Sequence, residues 1–445
     1  MQSSNKMAYK LGMAITGVLA ASAAGAFDMT SGDWKFSVNG NVNVDYIYSS
    51  CQSAASAEAV TGGLACVGSA SGSSVSNVGN GLLPAAFTFG VSTTQNGIDL
   101  AAHLGLYPGI ATNDGGSPNL QSNGGADTNT GLGTTGLDVR QVFMTFGNKE
   151  MGTFTLGRNF GLFGFDAIIN DMTLPGVGVA GSASGPTPSN TTLGSIGFGY
   201  IYVDTLAQID YTTPDVAGFN FTIGIFDPLN SLTDTDNTAK KAPGIHGKAT
   251  YTLKFSDDMS FYASVTGISQ KQNASAVVGA VPGAQIGTSA TGEPIYGPPV
   301  SVYAPYQYSS NGGDVFVKFD VAGFELDASY YYGKGMGTTA LFFYADDGFG
   351  NARKSDGYLI QGTYKIGAVK LGVNYGVSKL DYANAADAAA NPTLLQENSK
   401  VTGGIYYSLT KNLTLLGEVT GAKAQAHNGD ENKSTDVNLG AFLSF

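Results

Sequence analysis

The side chains of this chain offer little bond-making chemistry. Its 445 residues include three histidines, His103, His246 and His427, and two cysteines, Cys51 and Cys66. A Ser-His hydrolase needs a particular histidine, serine and acid to converge, and nothing in their spacing selects such a set. Gly-rich runs such as Thr402-Gly403-Gly404 precede no helix pattern, so they are not phosphate loops. No Cys/His spacing suggests a metal site, and no cofactor motif is present. What remains is charge. Asp99, His103, Lys248, Lys318, Asp327 and Lys365 each fall on the polar side of an alternating segment, as do Asp45, His246, Lys254, Asp320, Glu325, Lys370, Lys400 and Glu418. A mixed polar wall of this kind stays wet and selects among ions and polar solutes.

The elements that carry these charges are strands. In 355–380, Tyr358, Ile360, Tyr364 and Ile366 oppose Gln361, Thr363 and Lys365. After Gly367, Val369, Leu371, Val373, Tyr375 and Val377 oppose Lys370, Asn374 and Ser378. Period two over about ten residues marks a strand with one apolar and one polar face. The rule predicts sixteen strands, near 34–48, 84–94, 97–107, 137–147, 152–160, 206–213, 218–226, 245–255, 258–269, 313–321, 323–333, 355–366, 368–380, 399–409, 412–424 and 433–445. Short turns and long loops alternate between them, the long ones including 49–83, 108–136, 161–205, 227–244, 270–312, 334–354 and 381–398. A soluble sandwich has no reason to gather its long loops at one end, whereas a transmembrane barrel does. A closed sheet also pairs every backbone group, as lipid demands. The expected fold is therefore all-β, a sixteen-stranded antiparallel transmembrane β-barrel. Sixteen strands leave an aqueous bore.

Composition agrees. Charged residues are 13% of the chain and glycine supplies 63 positions, against roughly 25% and 7% in ordinary domains. The formal charge of −12, with arginine only at 140, 158 and 353, excludes a nucleic-acid partner, which requires a basic face. Lys6 and Lys10, the apolar run 11–20 and the small residues Ala24-Gly25-Ala26 read as a secretory signal peptide over 1–26. Its removal leaves one outer-membrane domain, 27–445, with charge −12 − 2 = −14. In an oxidising compartment Cys51 and Cys66 are expected to form a disulfide; a free thiol pair is the alternative.

The last strand ends Val437, Leu439, Ala441, Leu443, Phe445 on one face. With this tail, the runs Val139-Arg-Gln-Val-Phe-Met-Thr-Phe-Gly147, Gly152-Thr-Phe-Thr-Leu-Gly-Arg-Asn159 and Ile209-Asp-Tyr-Thr-Thr-Pro-Asp-Val-Ala-Gly-Phe219 resemble the Gram-negative general porins, especially the acidic betaproteobacterial-type group. The resemblance implies an outer-membrane channel for passive diffusion of small hydrophilic solutes and ions. It implies a homotrimer set in outer-membrane lipid and lipopolysaccharide, with Phe445 as the signal read by the barrel-assembly machinery. It also implies that the third loop, 161–205, folds inward as the constriction. Asp166 and Asp171 are its carboxylates, and Arg140 and Arg158 on the flanking strands are the candidate bases. Opposed acids and bases across a narrow gap set up a transverse field. Strict alternation, however, puts Arg158 with Phe154 and Leu156, and Arg140 with Val142 and Met144. A bulge near Gly157 would turn the first inward; no such device is visible for the second. The apolar stretch 166–178 suggests a short helix on the wall. The charge of −14 favours cations weakly. A substrate-specific channel with a basic ladder of lysines, and a structural or adhesive surface barrel, are the competing readings.

Overall fold

The computed structural model describes residues 27–52, 60–66, 74–112, 137–181, 190–229, 240–281, 283–288, 293–297, 300–339 and 342–445. The leader expected at 1–26 lies outside them. The described strands are β1 (Phe27–Ser31), β2 (Trp34–Cys51), β3 (Ser74–Gly79), β4 (Ala86–Gln95), β5 (Ile98–Pro108), β6 (Leu137–Asn148), β7 (Gly152–Phe160), β8 (Thr205–Thr212), β9 (Phe219–Phe226), β10 (Gly244–Ser256), β11 (Met259–Val281), β12 (Gln285–Thr288), β13 (Pro294–Tyr296), β14 (Val300–Val321), β15 (Phe324–Lys334), β16 (Lys354–Ile366), β17 (Val369–Leu380), β18 (Leu395–Ser408), β19 (Leu413–Ala426) and β20 (Glu431–Ser444). Two short helices, α1 (Phe165–Asn170) and α2 (Ala385–Ala390), lie in connections.

The wall consists of β2, β4 to β11 and β14 to β20, each antiparallel to the next. Pairing of β20 with β2, from Asn41↔Ser444 to Cys51↔Ser434, closes the ring at sixteen strands. Phe445 and Gly40 exchange backbone hydrogen bonds of 3.0 and 2.8 Å. Beyond that point β1 continues the ladder along β2, from Phe27↔Val38 to Ser31↔Trp34. One wall position is shared: β3 pairs with the upper half of β2 and β4 with its lower half. Between them, residues 80–85 leave the wall.

Burial runs opposite to that of a soluble protein. On β17 the outward Leu371, Val373 and Tyr375 are about half exposed, while the inward Asn374 is 1% exposed. Polar groups inside and bare apolar groups outside require lipid around the barrel. Outward aromatics stack across strands near the short-turn end, in Phe146–Phe154–Tyr211, Phe219–Tyr251 and Phe324–Tyr364. This is a girdle of the kind that anchors barrels at an interface.

The loop expected at 270–312 is largely a ribbon. β11 and β14 stay paired from Gln270↔Ser310 to Val281↔Val300, past the ends of both neighbouring strands. A membrane-spanning strand needs about 9–11 residues, so the 23 residues of β11 carry the ribbon well clear of the bilayer.

Candidate pore constriction

After β7 the described residues 161–181 and 190–204 run into the bore. Gly164 opens the turn into α1 with φ +72, and its amide donates to Asp314 Oδ2 of the wall at 3.0 Å. A Cβ there would lie 1.8 Å from Ile201 O. The loop carries its own apolar surface. Phe163, Phe165, Tyr200, Ile201, Tyr202 and Val203 pack on inward Phe226, Ile268, Phe316 and Leu359. Farther on, Val179 and Phe198 meet Ala422 and Ala424 of β19 and Val60 and Leu64 of the first loop.

Both predicted carboxylates are on this loop, and both are buried. Asp166 forms a 2.6 Å ion pair with Lys248 on β10. It also accepts from Tyr262 Oη at 3.0 Å and Ser264 Oγ at 2.6 Å, both on β11. Asp171 holds the loop to itself, accepting from Thr173 N, Thr173 Oγ1, Ser195 N and Tyr200 Oη. It also accepts a 3.4 Å bond from Asn374 Nδ2. These carboxylates are therefore struts rather than bare charges on the pore surface.

Arg140 points inward by a device that alternation does not reveal. Opposite β5 the partner of Gly105 is Gln141 and the partner of Leu106 is Val139. Arg140 is thus the extra residue of a β-bulge, which re-aims its side chain. Its Nη2 bonds Asp138 Oδ2 and Asn190 Oδ1, each at 3.1 Å, and its guanidinium lies 5.5 Å from the Tyr107 ring centre. Asn190 belongs to the inward loop, so Arg140 ties that loop to β6. Arg158, expected beside it, is placed differently. No register break occurs at Gly157, and Arg158 pairs with outward Val142 and Ala207. It stands two residues from the end of β7, near Asp204. A charge on the outer face is cheap only near an interface, about 0–1 kcal/mol.

The predicted wall residues all occupy inward positions. Asp99 accepts from Thr94 Oγ1 at 2.6 Å near the short-turn end, and His103 packs 5.0 Å from Phe143. Lys318 pairs with Glu325 at 2.7 Å and donates to Asn170 Oδ1 at the end of α1. Asp327 accepts from Gln361 Nε2 at 2.7 Å; that amide also bonds the Asn170 carbonyl, and its oxygen accepts from Met172 N. Lys365 faces Lys370 across β16 and β17. Across the bore, Glu418 Oε2 accepts from Val177 N at 2.9 Å and Gly178 N at 2.8 Å, while Lys400 Nζ donates to Gly194 O at 3.0 Å. Among the described residues no cluster of three or more His, Cys, Asp or Glu forms a metal site.

A second inward segment had no signal in the sequence. Residues 80–85 cross the inner face of β2, bonded by Asn41 Nδ2 to Pro84 O and by Asn43 Nδ2 to Leu83 O, each at 3.0 Å. Leu82 N donates to Gly176 O at 2.7 Å, and Thr192 N to Gly81 O at 3.0 Å. Two chain segments, bonded to each other, thus lie inside the wall. The disulfide Cys51–Cys66 is formed and anchors the first loop above them.

A closed sixteen-strand wall, dry outside and charged inside, with a loop folded across its bore, defines an outer-membrane channel of the porin class. The comparisons make this specific. The chain belongs to the Gram-negative porin family, whose model matches residues 13–427. No curated protein matches it significantly in sequence. Among solved structures it resembles the outer-membrane channel DcaP of Acinetobacter baumannii (TM-score 0.60, 14% identity, covering 94% of this chain and 99% of that one). It also resembles an anion-selective porin from Comamonas acidovorans (0.54, 13%, 93% and 100%). A third is OmpF of Salmonella typhi in complex with daunomycin (0.53, 13%, 94% and 100%). The protein is an outer-membrane β-barrel of this family.

Proposed function

We propose that the protein is a channel for passive diffusion of small hydrophilic solutes and ions, acting as a homotrimer in outer-membrane lipid and lipopolysaccharide. Its single most telling feature is the inward loop, pinned to opposite walls by Lys248–Asp166 on one side and Glu418 and Lys400 on the other. A loop held at both sides narrows the bore to a fixed aperture and leaves a polar wall beside it. The charge of −14 after loss of 1–26 favours cations weakly at the mouth. In this reading Phe445 serves barrel assembly, and the protein is not an enzyme.

A narrower reading, a substrate-specific channel, draws support from the second inward segment at 80–85, which reduces the aperture further. Single-channel recording of the refolded protein tests both. Stable conductance with broad solute passage supports diffusion, and block by one solute supports specificity. A barrel without conductance sinks the channel reading. Zero-current potentials with clear anion preference would remove the cation preference.

A further inference from the structure

Most inward cations of the wall are already occupied. Among the described strand residues, Lys35 pairs with Asp28, Arg140 with Asp138, Lys248 with Asp166, Lys254 with Asp257 and Lys318 with Glu325. Lys400 is spent on a loop carbonyl. Two stand apart. Lys365 on β16 and Lys370 on β17 are inward, directly opposite each other and one rung from the turn at 367–368. Neither is in an ion pair among the described residues. Like charges directly opposed on a sheet are destabilising, and the carboxylates that act on Lys370 are already engaged, Glu325 by Lys318 and Asp327 by Gln361. Lys370 is also aimed. Its ammonium lies 5.3 Å from the centre of the Tyr406 ring, and Tyr406 Oη is held by Glu418 Oε1 at 2.6 Å. The two lysines face the vestibule beneath the constriction, on the same side as Lys318 and Glu325.

We propose that Lys365 and Lys370 form a binding site for a small oxyanion, the carboxylate or phosphate group of a solute, at the periplasmic mouth of the bore. An oxyanion between them accepts from both ammonium groups and converts a repulsive rung into a bridged one. Tyr406, the partner of Lys370 on β18, holds that ammonium on the inner face. The site rests on the channel reading for its role in transport, but not for its existence.

Binding is therefore measured without current. Inorganic phosphate and acetate are titrated into the refolded protein in detergent at low ionic strength and followed by 31P and 13C line broadening. Heat-modifiable gel mobility verifies each variant's fold. Wild type is expected to broaden at least one probe saturably, Lys365→Gln/Lys370→Gln to weaken binding at least tenfold, and each single variant to fall between. The outward variant Lys379→Gln is expected to match wild type. Broadening of neither probe by wild type, or binding unchanged in the double variant, overturns the site. Loss of conductance with binding intact overturns the channel reading alone.

Discussion

Lys248 on the wall and Asp166 on the inward loop meet at 2.6 Å with both side chains buried. Two elements far apart in sequence are thus joined by one charge pair. Removing a single partner of a buried pair strands the other charge and typically costs about 3–5 kcal/mol, whereas replacing both with apolar groups is often neutral. Lys248→Met and Asp166→Leu are each expected to detach the loop, raising single-channel conductance and current noise. The double variant is expected to lie closer to wild type in urea midpoint than either single one. Additive losses in that cycle would show that the two residues act separately.

The two arginines before the loop differ in face, and the difference is measurable. Arg140 is inward at its bulge, whereas Arg158 keeps the register of outward Val142 and Ala207. Arg140→Gln is expected to shift the zero-current potential in a salt gradient toward stronger cation preference. Arg158→Gln is expected to leave it near the wild-type value. A larger shift for Arg158→Gln would place its guanidinium in the bore.

The contrast between these arginines shows what was legible. Alternation reports the lipid-facing side, because lipid imposes one rule on every outward residue. All sixteen wall strands were visible for that reason, and so were the inward positions of Asp99, Lys318 and Lys365. The inner face obeys local partners instead. Asn41 and Asn43 are inward because they hold residues 80–85, and Glu418 because it holds Val177 and Gly178, 241 and 240 residues away. The bulge at Arg140 changes side-chain direction without changing composition. Period counting detects none of these relationships.

Two external loops are tied by Arg353 and Asp387. The guanidinium binds the carboxylate through Nε at 2.8 Å and Nη2 at 2.6 Å. Burial alone pushes Asp387 up, but Arg353, the Ala383 amide and Asn391 outweigh it and hold the group at about 2. Its folded-state pKa therefore lies below the unfolded value near 3.9. The stabilisation is fully present above about pH 4 and is lost as pH falls through about 2. Arg353→Met is expected to lower thermal stability at pH 7 by roughly 3 kcal/mol or more. The deficit relative to wild type is expected to shrink in acid, and an equal deficit at pH 7 and pH 2 contradicts the pairing.

The disulfide holds more than its own loop. Residues 60–66 hydrogen-bond to the seventh loop through Thr61 N to Thr393 O and Leu395 N to Thr61 O, both at 2.9 Å. Val60 and Leu64 pack in the same apolar cluster as Val179 and Phe198 of the inward loop. Cys51 and Cys66 are separated by 15 positions, a closure worth about 3 kcal/mol in the chain-entropy account. Cys51→Ser/Cys66→Ser is expected to lower the unfolding midpoint and to admit protease near residue 62. Resistance equal to wild type would mean that the apolar contacts suffice without the crosslink.

Gly376 on β17 offers a test of the constriction that spares the wall. Its backbone is ordinary strand, yet a Cβ there would stand 1.7 Å from Phe198 O. Beside it, Ser378 Oγ accepts from Gly199 N at 2.9 Å. The bare position lets the loop backbone lie against the sheet, so a methyl group must displace the loop rather than bend the strand. Gly376→Ala is therefore expected to retain heat-modifiable barrel mobility while raising conductance and relaxing solute size exclusion. The reverse outcome, an unfolded barrel with no change in aperture for the molecules that do fold, would mean that the loop at 198–199 contributes nothing to the narrowing.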